Sequence, residues 1–183
     1  GVQRHPGGPA ADVAPDPAVN AHDLLRHIAC GATPPLDTDR REIDPIHPDW
    51  LGYMVDSLDD DVGAVGALLV YPRRPHRDVP PAYPDLTVQH MGTSFEYSKW
   101  GVRAVNTGAG LDPLSITLPD RREVPAVTAA CLLARRSDLL AEALDERYWY
   151  GCEDWDLCLR LADHGRVIVD ERAVLFHHEF GTQ

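Results

Sequence analysis

Residues 151–161 read Gly151-Cys152-Glu153-Asp154-Trp155-Asp156-Leu157-Cys158-Leu159-Arg160-Leu161, and the rest of the chain is organised around them. Wound at about 100° per residue, the stretch puts Asp156, Arg160 and Asp163 on one narrow face, with Asp156 and Arg160 one turn apart and able to pair. Leu157, Cys158, Leu161 and Ala162 form the opposite, apolar arc. Asp154 falls inside that arc, one turn ahead of Leu157 and Cys158. Two readings of it stand. An acid at a helix start satisfies free N–H groups and complements the helix dipole, an effect of about 1 kcal/mol. Alternatively, the helix start lines a pocket in which Asp154 acts as a base.

Outward from this helix the chain alternates strand and helix material. Residues 62–71 (VGAVGALLVY) are a short apolar run, predicted as a buried strand. Their glycines lack the spacing of a dinucleotide fingerprint. Residues 86–95 (LTVQHMGTSF) predict a second strand in a hairpin relation to the first, in which His90 could be a ligand but is more often, as a single histidine in a strand, a satisfied structural residue. Residues 96–120 are loosely patterned, which in a compact domain marks a functional or mobile segment. Residues 124–134 (VPAVTAACLLA) predict another strand, in which Ala126, Thr128, Ala129 and Ala130 let a backbone or a ligand approach closely. Ser137 has the character of an N-cap for a helix carrying Leu139, Leu140 and Ala143. Gly165 is expected to end the central helix, and 167–169 and 173–176 to follow as strands. Upstream, Pro48 in a first turn opens a helix with Leu51, Met54, Val55 and Leu58 at helical spacing, closed by Asp59-Asp60-Asp61, a solvated turn or, less often for a run of acids without EF-hand spacing, a cation site.

Residues 1–20 are Gly-, Pro- and Ala-rich and cannot bury enough surface to order themselves. A short helix is expected at 21–30. The expected organisation is a flexible arm over 1–42 and an α/β domain over 43–183, with a mixed sheet flanked by helices. At 183 residues the chain is long enough for one domain with a proper core. A net charge of −12 argues against nucleic acid and against anionic membrane surfaces as partners. Cys30, Cys131, Cys152 and Cys158 match no zinc spacing and no disulfide framework, which favours a reducing cytoplasm; Cys131 and Cys158 read as core residues. No apolar run approaches the length of a membrane span. The adjacent aromatics Tyr148, Trp149 and Tyr150 fit either a core or one wall of a sugar site.

The ordered series 62–72, 88–95 (VQHMGTSF), 124–139 (VPAVTAACLLARRSDL), 144–161 (LDERYWYGCEDWDLCLRL) and 174–179 (VLFHHE) resembles the acceptor-side half of family-2 glycosyltransferases of the GT-A fold. The resemblance implies inverting transfer of a sugar from a nucleotide-diphosphate sugar to a hydroxyl of a glycan or small-molecule acceptor. It implies Asp154 as general base with Glu153 in support. It implies a divalent metal, manganese or magnesium, on the donor diphosphate, held by His177 and an acid near residue 42. The acceptor site it implies is formed by Trp149, Tyr150, Trp155 and Thr128. Asp39-Arg40-Arg41-Glu42 stands where such enzymes carry D-x-D, and only Glu42 supplies a carboxylate there. Their nucleotide-binding half has no counterpart in residues 1–42. A homo-oligomer or a partner chain is therefore expected to cover the missing half, and the alternative is a catalytically incomplete binding or interaction module.

Overall fold

The computed structural model describes residues 43–72, 85–148 and 151–178. The arm over 1–42, with its short helix and Glu42, and the aromatics Trp149 and Tyr150 lie outside these residues. In chain order the elements are β1 (Ile43–Pro45), α1 (Trp50–Ser57), β2 (Val62–Val70), β3 (Val88–His90), β4 (Thr93–Ser98), β5 (Gly101–Asn106), β6 (Arg121–Glu123), β7 (Leu132–Ala134), α2 (Arg136–Glu142), α3 (Glu153–Leu161) and β8 (Arg166–His177). Single 3-10 turns lie at Pro113–Ser115 and Ala129–Cys131. The class is mixed α/β: three helices against a curled mixed sheet, among the described residues. None of these helices is long and apolar enough to cross a membrane.

The sheet is built on β2 and β8, which run parallel; β1 and β6 flank β8, and β3 and β7 flank β2, all antiparallel. Every residue of β2 is buried, because both of its faces are covered. A strand with no solvated face loses polar–apolar alternation, which is why it reads as continuous Val, Ala and Leu. On one face Val65, Ala67 and Leu69 pack with Ile168, Leu175 and Met54 of α1. On the other, Ala64, Val167 and Val169 meet Leu157, Cys158 and Leu161 of α3. Farther along, Leu68, Val70, Val174 and Phe176 close with Val88 and Met91. Each fully buried Val, Leu, Ile, Phe or Met among them stabilises the fold by about 1.5–3 kcal/mol. Cys131 and Cys158 belong to this core as expected, and burial pushes both thiols up to about 11.

Two glycines of β2 set how closely its neighbours approach. A Cβ on Gly63 would sit 2.3 Å from the carbonyl oxygen of Leu161, so only glycine admits the end of α3 there. A Cβ on Gly66 would lie 2.6 Å from the Val127 side chain. That contact defines the 124–128 segment. It is a strap crossing the sheet between β6 and β7, not the single strand that its composition predicts. It bonds through Val124 N to Val167 O and through Ala126 O to Thr93 N, then winds into the 3-10 turn before β7. Small side chains let it pass under α3.

Other boundaries also depart from expectation. The strand predicted at 86–95 pairs with β2 only over β3, then breaks at Gly92, whose φ of 103° sends β4 and β5 off as a separate two-stranded hairpin. The two late strands are one twelve-residue strand with a bulge: Ala67 faces Asp170 and Leu68 faces Val174. The bulge carries buried acids that the chain neutralises itself. Arg172 forks onto Asp170, which also accepts from Ser57 Oγ at 2.6 Å, and Arg122 Nε donates to Glu171 at 2.6 Å. Ser137 does not cap α2; Arg135 holds that position and its guanidinium instead reaches the carbonyls of Val62 and Asp59. Pro48 lies outside α1, before its cap residue Asp49, and α1 buries Met54 and Ser57 while Leu51 and Val55 face solvent. Gly165 lies beyond the end of α3 and opens the way into β8, where a Cβ would sit 2.7 Å from both Asp61 O and Gly63 N.

Candidate active site at the carboxyl end of the parallel pair

Because the C-terminus of α3 rests on Gly63 at the start of β2, its N-terminus points back toward the carboxyl ends of β2 and β8. In open α/β sheets that is where ligands bind. A cavity of about 490 Å³ lies there, lined by Asn106, Thr128, Ala129, Ala130, Gly151, Cys152, Glu153, Asp154, Trp155 and His177. The volume is in the range of small-ligand sites. Glu153, Asp154 and Trp155, consecutive in α3, share this one cavity with Thr128 and His177, which arrive from distant parts of the chain. Glu42, Trp149 and Tyr150 fall outside the described residues.

Asp154 is not the helix cap. The cap position belongs to Cys152, which is left-handed at φ 75° and gives no side-chain bond. Asp154 sits in the first turn and accepts two backbone N–H groups, Trp155 N on Oδ1 at 2.9 Å and Ala129 N on Oδ2 at 3.2 Å. A carboxylate offers about four acceptor sites. These two bonds orient it and leave one site on each oxygen for another donor. Glu153 beside it has Oε2 shut from solvent with no hydrogen-bond partner among the described residues. Asp156 takes no part; it pairs with Arg160 one turn on at 2.8 Å, as the helical spacing predicts.

The opposite wall comes from the sheet. His177 ends β8, and its Nδ1 donates to Gln89 Oε1 at 2.6 Å, which sets the plane of the ring. His178 turns the other way and meets Asp44 at 2.8 Å. His90 is fully buried behind the cavity. Its Nε2 accepts from Thr128 N at 3.2 Å and its Nδ1 meets Asn106 Oδ1 at 3.0 Å, which selects the neutral Nδ1–H tautomer. Burial accordingly lowers its pKa below 6.5, against the pull of the Asn106 bond and of Asp154. His90 is thus the structural histidine expected. It also fixes the turn whose next N–H, that of Ala129, holds Asp154. Gln89 and Asn106 are site residues that sequence reasoning missed; their only signal is strand adjacency to His90 and to a hairpin not visible as one.

Gln89 orients the His177 ring from its other nitrogen, the arrangement usual for a ligating histidine. Among the described residues, however, no group of three or more His, Cys, Asp or Glu converges as a metal holder. His177 can supply one ligand, and the rest of a first shell must come from elsewhere.

A larger depression of about 820 Å³ lies at the other end of the pair, between Asp61, Glu123, His164 and Arg166. Its charges already face one another: Arg166 meets Asp61 at 2.7 Å and Glu123 at 3.9 Å. It therefore offers a ligand less than the smaller cavity does.

Fold and site together define a mixed α/β protein with a carboxylate, an imidazole, a hydroxyl and an indole around one cavity at the carboxyl end of its parallel strands. No protein-family model matches the chain, and no curated protein matches it either.

Proposed function

We propose that the chain is a glycosyltransferase-like domain of GT-A type, transferring a sugar with inversion from a nucleotide-diphosphate sugar to an acceptor hydroxyl. The observation that carries this reading is the convergence of Thr128, Glu153, Asp154, Trp155 and His177 on one cavity. Asp154 takes the acceptor's hydroxyl proton on an acceptor site its two backbone bonds leave open. The acceptor oxygen then forms its bond to the anomeric carbon as the bond from that carbon to the diphosphate oxygen breaks, and the electron pair leaves with the nucleotide diphosphate. Attack opposite the leaving group inverts the centre. Glu153 supports the base from the adjacent position, and Trp155 with Trp149, Tyr150 and Thr128 holds the acceptor. A manganese or magnesium ion held by His177 and Glu42 would neutralise charge on the departing diphosphate. The reading expects a homo-oligomer or a partner chain to share donor binding, and a reducing cytoplasm in which the Cys131, Cys152 and Cys158 thiols stay free.

The test is a transfer assay with a panel of nucleotide-diphosphate sugars, acceptors and either metal. Loss of transfer in Asp154→Asn, in a chain that still folds and melts cooperatively, supports the reading; absence of transfer and of thermal shift with every donor overturns it. One observation favours a second reading. Both Asp154 oxygens already serve the fold, Oδ2 tying α3 to the 3-10 turn and Oδ1 holding the first turn of α3, as they would in a non-catalytic binding module. On that reading Asp154→Asn lowers stability and alters no chemistry.

A further inference from the structure

We propose that the β4–β5 hairpin is an acceptor subsite that seats a glycan chain along a strip of aromatic side chains leading out of the cavity. The proposal rests on the glycosyltransferase reading and names where its acceptor extends.

Strand alternation places Thr93, Phe95 and Tyr97 on one face of the hairpin, opposite Asn106, Ala104 and Val102. The inner end of this face belongs to the site: Asn106 lines the cavity and holds His90. Phe95 comes next and meets Trp155, a cavity residue, edge to face with ring centroids 6.3 Å apart. Tyr97 follows on the same face, about 7 Å farther out. It is 82% exposed, and its cross-strand partner Val102 is 59% exposed. At the turn Trp100 is 87% exposed, with the Lys99 ammonium 4.9 Å from its ring centroid. The row thus runs from the wall beside Asp154 into open solvent, while the polar Glu96–Arg103 pair occupies the other face.

The shape of the row selects its occupant. A two-stranded ribbon gains little stability from its own pairing, so exposed rings on it serve no core. The row is about one ring wide, whereas a stable contact between protein copies needs about 800 Å² per partner. The net charge of −12 repels an anionic lipid surface. A linear sugar chain offers apolar C–H faces for the rings and hydroxyls for the polar rim, and one end of it can reach the carboxylate.

The experiment uses the full chain with Tyr97→Ala, Trp100→Ala and Asp154→Asn variants. Neutral linear oligosaccharides, from disaccharides to hexasaccharides, are screened on an array, and the best hexasaccharide is then titrated by intrinsic fluorescence. Wild type is expected to bind it, and Asp154→Asn serves only the transfer readout. Tyr97→Ala and Trp100→Ala are each expected to bind about tenfold more weakly, the loss of one buried aromatic anchor, with disaccharide binding and melting unchanged. Binding of no array sugar, or equal binding by the hairpin variants, overturns the subsite. So does a change confined to oligomeric state or to vesicle binding, which would assign the strip to a second copy or to lipid. The general-base reading fails on a different readout: transfer retained by Asp154→Asn.

Discussion

The two ends of the β2–β8 pair are built from different materials. At the amino end the chain closes on itself. Gly63 and Gly165 let backbones touch where no Cβ fits, and Asp59 and Asp61 are taken up by Arg121 and Arg166 at 2.7 Å. At the carboxyl end the groups are polar and hydrogen-bonded but keep capacity. Asp154 retains acceptor sites, Glu153 Oε2 has no partner among the described residues, and the 490 Å³ cavity stands between them and His177. Contacts that satisfy every group make a fold; contacts that orient a group without saturating it make a site.

The sharpest way to break this contrast is Asp154→Asn. If the carboxyl end is a site, transfer falls by about 10²–10⁴, the usual contribution of a general base, while stability falls by only about 1–3 kcal/mol, because the amide nitrogen replaces one of the two oxygens that accept backbone N–H groups. A large loss of stability with no chemical phenotype would make both ends structural. Next comes Gly63→Ala, which forces a methyl against Leu161 O. Denaturant unfolding should show a loss of about 3 kcal/mol, the upper range for overpacking. A change under about 0.5 kcal/mol would mean the amino end is loosely packed after all.

Two histidines sharpen the contrast by opposite pH signs. Burial lowers His90 below 6.5, so the folded chain binds fewer protons there than the unfolded chain. Its contribution is complete above pH 6.5 and is lost as pH falls below it. His90→Gln should flatten the acid-side decline in a pH series of unfolding midpoints. At the amino end the bond to Glu142 at 2.8 Å raises His164 above 6.5. That contribution is present below pH 6.5 and fades as pH rises through the raised value. His164→Gln should flatten the alkaline side, by less, because this pair is in water. Smallest of all, Cys152→Gly removes a side chain from a left-handed residue at the cavity mouth and should raise stability by up to about 1 kcal/mol, read as a higher melting midpoint.

Much of the sheet was legible in the sequence because burial on both faces leaves a continuous apolar run, as in 62–70. The charges of α3 were legible for a similar reason: Asp156 and Arg160 meet at the helical period. Segments whose partners are distant in sequence were not legible. The strap at 124–128 reads as a strand because small apolar residues suit both; only Gly66 beneath Val127 shows that it crosses the sheet. The β4–β5 hairpin was hidden because its outer half faces water and its alternation, Phe95 and Tyr97 between Ser94, Glu96 and Ser98, is confined to one short strand, with no matching alternation in Gly101–Asn106. Arg135 displaced Ser137 at the start of α2 because its guanidinium reaches carbonyls at the mouth of β2, which no local propensity anticipates.

From the sequence alone came the class, the buried strand and an acid misplaced on an apolar arc, since each follows from periodicity within one element. Only the tertiary structure decided what surrounds that acid. The N–H of Ala129 orients it, His90 fixes the turn that supplies Ala129, and His177 arrives from the far end of β8. Such groups meet through strand register and helix placement, which depend on how the whole chain packs.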